Sequence, residues 1–347
     1  MSRRLWQVLV TTLFAFLAVG GLVAFARFED GPCPAGSLEV TGTAEAGAKG
    51  GQAELTPTDF ITVTSTDDSG GMSGRCDNES PCTLRRAINQ VKWYSAPSKV
   101  FRIAFDLGTG DPRYNSDHGV WIIDVDSDNS GFETFAFREF GSYGHVIIDG
   151  TTQPIGRDLS MGPRVILRGD NEKGAFLLKG GNNVVRGLGF QGFGNEVVYV
   201  PATNENLIED NWFGLTITGT GIYLRNALFP ADGSGESGIY VQKSGSDGTT
   251  NTIQSNVLVG FKASAINVQG DYNMVLSNTV GTYADGTVPE VRPERKCRPN
   301  ARYYNWFPGA GVDVFGTGNL VAYNRLVGML FQSNDPLNTP DLSLIHI

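Results

Sequence analysis

One unit recurs through the second half of the chain, Asn206-x-Ile208-x-x-Asn211-x-Phe213-Gly214. It returns as Asn251-x-Ile253-x-x-Asn256-x-Leu258-x-Gly260 and as Asn273-x-Val275-x-x-Asn278-x-Val280-Gly281. The last copy is Asn319-x-Val321-x-x-Asn324-x-Leu326-x-Gly328, and a degraded one, Asn183-x-Val185-x-x-Leu188-x-Phe190-x-Gly192, precedes them all. The starts step by 23 (206−183), 45 (251−206), 22 (273−251) and 46 (319−273). A period of about 22 residues with two doubled intervals is the mark of a repeat architecture, in which no unit buries its apolar face alone.

A second motif alternates with the first: Val197-Val-Tyr-Val, Gly221-Ile-Tyr-Leu, Gly238-Ile-Tyr-Val, Ala265-Ile-Asn-Val and Gly311-Val-Asp-Val. Each coil therefore carries at least two short strands, separated by Gly, Asn or Asp turns. Stacked at about 4.8 Å per coil, such strands build a continuous interior. The spacing predicts an all-β, right-handed parallel β-helix. Asn211, Asn256, Asn278 and Asn324 fall at one position of successive coils, where side-chain amides hydrogen-bond up the stack as a structural ladder.

The doubled intervals have two readings. In one, excursions at 215–237 and 282–310 leave the coil just after the Gly that closes the second strand and wall a groove. In the other, the first doubled interval holds an extra, atypical coil built on Gly221-Ile-Tyr-Leu.

The flanks differ in kind. Met1-Ser-Arg-Arg, an apolar run from Leu5 to about Val19, and Ala24-Phe25-Ala26 give residues 1–26 the form of a signal peptide. A retained membrane anchor is the alternative. Residues 27–57 lack an apolar period and read as a flexible linker before a β-helix domain at 58–341, with an N-terminal cap at about 58–100. There Phe60-Ile-Thr-Val-Thr is a strand. Thr83 is placed to N-cap a short helix whose Leu84, Ala87, Ile88 and Val91 share one face and cover the open end of the solenoid. Cys76 and Cys82 flank a turn-rich spacer and suit a disulfide; Cys33 and Cys297 pair with each other or stay free. Leu342-Ser-Leu-Ile-His-Ile347 resembles a translated sequencing adapter, so the expectation is that 342–347 is non-native or truncated and that the natural chain continues with more coils.

The run Cys76-Asp-Asn-Glu-Ser-Pro-Cys-Thr-Leu-Arg-Arg-Ala-Ile88, with Ile61-Thr-Val-Thr-Ser-Thr-Asp-Asp68 upstream, resembles the opening signature of CSLREA-domain proteins. Val146-Ile-Ile-Asp-Gly-Thr-Thr-Gln-Pro154 and the Asn repeats are similar to the parallel β-helix repeats that follow it in bacterial surface and secreted proteins. The likeness covers about 60–340. This chain departs from it with Arg86 where the family usually has Glu. The resemblance implies display at the cell surface or outside the cell and contact with carbohydrate; it implies no agreed chemistry.

Candidate chemistry is sparse. Glu209, Asp210 and Asp313 lie in or beside strands and are the carboxylates available to a polysaccharide lyase, hydrolase or epimerase. No polygalacturonase-like set accompanies them, and ordinary solvated carboxylates are the simpler reading. Asp124, Asp126 and Asp128 place hard oxygens at alternate positions, so a loose Ca²⁺ loop competes there with a plain acidic turn. Asp67-Asp68 with Asp77 is a weaker set of the same kind. No cofactor is required by the sequence.

The second excursion holds Arg292, Arg295, Lys296, Arg298 and Arg302, then Tyr303, Tyr304, Trp306 and Phe307. Cations beside aromatic rings suit sugars bearing carboxylate or sulfate; packing of the excursion onto its coil is the competing role. The net charge of −9 argues against nucleic acid as a partner. The expected function is an extracellular glycan-binding or adhesin-like protein, touching membrane only if the N-terminal segment is uncleaved. A polysaccharide-processing enzyme and a structural stalk are the alternatives.

Overall fold

In the computed structural model the chain is mostly strand, arranged as an all-β parallel solenoid of three sheets. The structure describes residues 55–68, 74–78, 80–125, 136–137, 145–169, 174–194, 196–223, 237–243, 250–261, 264–288, 310–327, 330–332 and 345–346. Each full coil contributes one strand to each sheet, three per coil where the sequence required at least two.

Sheet A has nine strands: Asp59–Val63, Phe101–Phe105, Val146–Asp149, Val184–Arg186, Leu207–Glu209, Thr252–Gln254, Met274–Leu276, Leu320–Ala322 and Ile345–His346. Sheet B runs from Val120–Asp124 through Val165–Arg168, Leu188–Gln191, Trp212–Phe213, Val257–Leu258 and Thr279–Val280 to Arg325–Leu326. Its one antiparallel member, Tyr114–Asn115, lies at the N-terminal edge. Sheet C stacks Ala136–Phe137, Phe176–Leu178, Val198–Pro201, Ser237–Gln242, Ser264–Val268, Ala310–Val314 and Leu330–Gln332.

Registration follows from side-chain alternation. In sheet A, Ile61, Ile103, Ile148, Val185, Ile208, Ile253, Val275 and Val321 are direct neighbours in one buried column. In sheet B, Leu167, Phe190, Phe213, Leu258 and Val280 do the same, and the Phe190 and Phe213 rings stack at 4.7 Å. Each such side chain removed from water is worth about 1.5–3 kcal/mol. A one-residue slip would turn a whole column outward, which fixes the register.

The doubled intervals resolve into single coils with long detours. Glu209 pairs directly with Gln254, Phe213 with Leu258, and Ile239 with Ile266. No extra coil intervenes, so the reading of Gly221-Ile-Tyr-Leu as a stacked strand is corrected. Leu215 instead bridges Ile222 in antiparallel fashion, with Thr216 N–H donating to Gly221 O at 2.8 Å. This segment is a small hairpin, because its glycines and threonines favour a reversal over addition to the parallel stack.

The helix expected after Thr83 spans Leu84–Tyr94. Thr83 Oγ1 accepts from the Arg86 N–H at 3.3 Å, and Leu84, Ala87, Ile88 and Val91 are buried. The helix packs against the first two strands of sheet A. Arg86 donates to Pro81 O at 2.6 Å. Cys76 and Cys82 are disulfide-bonded, with Cα atoms 4.7 Å apart. Cys33 and Cys297 lie outside the described residues. No helix among the described residues is long and apolar enough to cross a membrane.

Candidate functional site

The sharp corner between sheets A and B shows what the repeated asparagines do. Asp210, Ser255, Ser277 and Tyr323 each adopt positive φ, between 54° and 59°, and each is followed by a buried asparagine. Asn211 donates through Nδ2 to Asn256 Oδ1 at 3.1 Å, Asn256 to Asn278 at 3.0 Å, and Asn278 to Asn324 at 2.9 Å. Each also satisfies backbone, as when Asn256 Nδ2 donates to Ile208 O at 2.9 Å. The column begins on Leu188, whose N–H donates to Asn211 Oδ1.

A second column, not singled out in the sequence, lines the corner from sheet C to sheet A. Asn183, Asn206, Asn251, Asn273 and Asn319 are linked amide to amide at 2.9–3.1 Å. Its signal was the first asparagine of the same repeat. These two corners close the interior with side-chain hydrogen bonds and use all the repeated asparagines structurally.

Glu209 belongs to a polar row across sheet A. Asp149 is fully buried and accepts from Arg102 and, at 2.8 Å, from Arg186. Arg186 continues to Glu209 at 3.6 Å, and Gln254 Nε2 donates to Glu209 Oε2 at 2.8 Å. Burial pushes the Asp149 carboxyl up, but hydrogen bonds from Arg186 and Thr151, with the charge of Arg186, outweigh it and hold the group below its ordinary value. Glu209 is buried among these partners. Asp210 is exposed at its left-handed turn. Asp313 stands on sheet C, a different wall, so the three carboxylates are not assembled into one site.

Asp313 lies beside Asn267 in register, and Ser264 Oγ donates to its Oδ2. Burial raises its pKa, opposed by the Ser264 bond. Asp124 pairs with Arg113 and, at 3.7 Å, with Arg168; Asp126 and Asp128 lie outside the described residues. Asp68 is held by Arg85 at 2.6 Å, and Asp77 accepts from Tyr94 Oη at 2.6 Å. Among the described residues, no three His, Cys, Asp or Glu side chains converge as a metal site.

The long connections concentrate at the corner from sheet B to sheet C, after Phe213 and after Val280. The described start of each folds back over the outer face of sheet B, where Ala284 N–H donates to Gly219 O at 2.9 Å. The two excursions are thus joined at their roots. Gly219, at φ +74°, lies so close to Trp212 that a Cβ would come within 2.5 Å of the ring. Arg157 stacks on the same ring at 5.1 Å and donates to the carbonyls of Gly162, Pro163 and Ile217. Burial lowers its pKa to about 10. The basic and aromatic residues of the second excursion, Arg292, Arg295, Lys296, Arg298, Arg302, Tyr303, Tyr304 and Trp306, lie outside the described residues.

Downstream of that corner the outer face of sheet C carries Tyr199, Tyr240, Asn267 and Asp313 in register. The Tyr199 and Tyr240 rings stack at 5.2 Å with 17° between planes. Tyr199 Oη donates to Gln242 Oε1, and Tyr240 Oη to Gln269 Oε1 at 2.9 Å. Burial raises the pKa of both phenols, so they are neutral donors at neutral pH. With each glutamine oxygen occupied, its NH2 group remains a donor without a protein partner among the described residues. The sequence signal was the central residue of the aligned Val-Tyr-Val, Ile-Tyr-Val, Ile-Asn-Val and Val-Asp-Val triplets.

No protein-family model matches the chain, and no curated protein is similar to it at a significant level.

Proposed function

We propose that this chain is an exported, right-handed parallel β-helix of the cell surface or extracellular space that binds glycan on the outer face of sheet C. The observation that carries this reading is the stacked Tyr199–Tyr240 pair, whose hydroxyls orient the amides of Gln242 and Gln269. Neutral aromatic edges beside fixed amide donors match the alternating C–H and hydroxyl surface of a sugar. Within the asparagine repeats, the two long excursions both leave from the adjoining corner, which supports the same side as the ligand side.

The remaining parts of the reading rest on separate supports. Parallel strands joined in one sheet favour right-handed connections. The helix at Leu84–Tyr94 packs on the first two sheet A strands, where an end cap belongs. The Cys76–Cys82 bridge and the N-terminal apolar run suit export, as does the likeness to CSLREA-domain proteins. A glycan array probed with the purified chain, alongside Tyr240→Ala, tests the function. Binding that weakens in the variant is expected; no binding to any glycan, or release of reducing or unsaturated sugars from a bound polysaccharide, would overturn the non-catalytic reading.

A further inference from the structure

We infer that the ligand of the sheet C face is an uncharged glycan lying extended along the solenoid axis, about one sugar per coil, rather than the carboxylated or sulfated sugar that suits the basic segment 292–302. This rests on the glycan-binding reading above and narrows it to one chemical class and one direction.

Charge gives the class. Tyr199, Tyr240, Gln242 and Gln269 are neutral, and the adjacent Lys243 sits 3.7 Å from Asp271 Oδ2. Asp313, in the same outward column, contributes a carboxyl group. Between Lys179, two coils before Gln242 in the same column, and the Asp313 carboxyl at the far end, a polyanion laid along this face would meet no cation free of a carboxylate partner among the described residues. Desolvating sugar carboxylates there would go uncompensated. Hydroxyls, in contrast, find matched partners: glutamine NH2 groups donate to them, and phenol oxygens accept from them.

Spacing gives the direction. Val241 pairs with Val268, so the residues that follow, Gln242 and Gln269, repeat one coil apart along the axis, a step of about 4.8 Å. That step is close to the length of one pyranose in an extended chain, so successive sugars would meet equivalent groups. The tyrosine rings face one another and therefore show their edges and hydroxyls outward. This favours a chain resting side-on across them over a single ring stacked flat. Beyond the amides, Tyr272 is 58% exposed at the exit corner, its ring resting on Gly318, where a Cβ would come within 2.5 Å. Because the tyrosine hydroxyls already hold the amides, little side-chain freedom remains to be lost on binding.

Isothermal titration of the full chain tests this with neutral β-linked oligosaccharides (cello-, manno- and xylo-series) of increasing length, and with oligogalacturonate and alginate oligomers. The neutral series is expected to bind, insensitive to salt, with affinity climbing over the first few sugars and then levelling. Gln242→Ala with Gln269→Ala, both surface changes whose folding is checked by circular dichroism, should weaken it about tenfold or more. Arg295→Gln with Arg298→Gln should leave it unchanged. Binding restricted to the anionic oligomers, falling with salt and lost in the arginine variant, overturns this inference while leaving a glycan-binding protein. Neutral binding unaffected by the glutamine variant also overturns it. Failure to bind either class overturns both readings together.

Discussion

Asn256→Ala should be among the most damaging single substitutions in this chain. Asn256 is fully buried at the middle of its column. Its Nδ2 donates to Asn278 Oδ1 and to Ile208 O, and its Oδ1 accepts from both the backbone N–H and Nδ2 of Asn211, at 3.1 Å each. Truncation removes four hydrogen bonds, but their losses are unequal. Asn211 Nδ2 keeps Val185 O, and Asn278 Oδ1 keeps the backbone N–H of residue 256. Ile208 O loses its side-chain donor but keeps its place in the parallel ladder against Gln254, whereas the Asn211 N–H loses its acceptor outright. A buried group stripped of its partner costs about 1–3 kcal/mol, so this one gives about 2 kcal/mol at the centre of the range. Because solenoid coils unfold semi-independently, a global melting curve would dilute the effect. Hydrogen exchange is the better assay: the Asn211 amide should lose roughly thirtyfold of protection, with smaller losses in the coils on either side. A loss below about fivefold, or about 1 kcal/mol, would refute the argument that the amide column holds the corners closed.

Three further outcomes are expected. Gly219→Ala places a methyl against Trp212 at a left-handed backbone position, and should release the roots of both excursions, read as increased proteolysis between 215 and 223 with the coils intact. Reducing the Cys76–Cys82 bridge removes a crosslink over a separation of six residues, worth about 2 kcal/mol in the chain-entropy account; local melting of the Leu84–Tyr94 region with and without reductant measures it. For Asp149 the folded pKa is depressed, so its contribution is present above the ordinary carboxylate range and is lost as pH falls through the folded value. Wild type should therefore lose stability in acid more steeply than Asp149→Asn, and parallel acid-unfolding curves would exclude that linkage.

How far the sequence discloses this architecture depends on whether the information is local or lies between coils. The asparagine repeat carries its own register: Asn256 and Asn278 are 22 residues apart and stack directly. The helix after Thr83 is equally local, since its cap and apolar face are contained in one segment. The same repeat held the second asparagine column in plain view at Asn206 and Asn251, but its role depends on the corner closed by its neighbours. Gly221-Ile-Tyr-Leu resembled a strand by composition, and only the direct pairing of Phe213 with Leu258 shows that the stack bypasses it. The row from Arg102 through Asp149 and Arg186 to Glu209 joins residues up to 47 positions apart. Each charge alone looks like a solvated surface residue, so the row is visible only once the strands are aligned.

The pairing of Phe213 with Leu258, as though nothing lay between them, has a consequence for how such a chain diversifies. One vertex of the triangular cross-section behaves as a socket, accepting inserted sequence without disturbing the coils above and below. In the coils that carry the amide column, the vertex between sheets A and B, fixed by a left-handed residue and an interior amide, is turned each time with no insertion. New recognition loops would therefore accumulate along a single edge of the rod, and one inert scaffold could be re-equipped for different surfaces without being rebuilt.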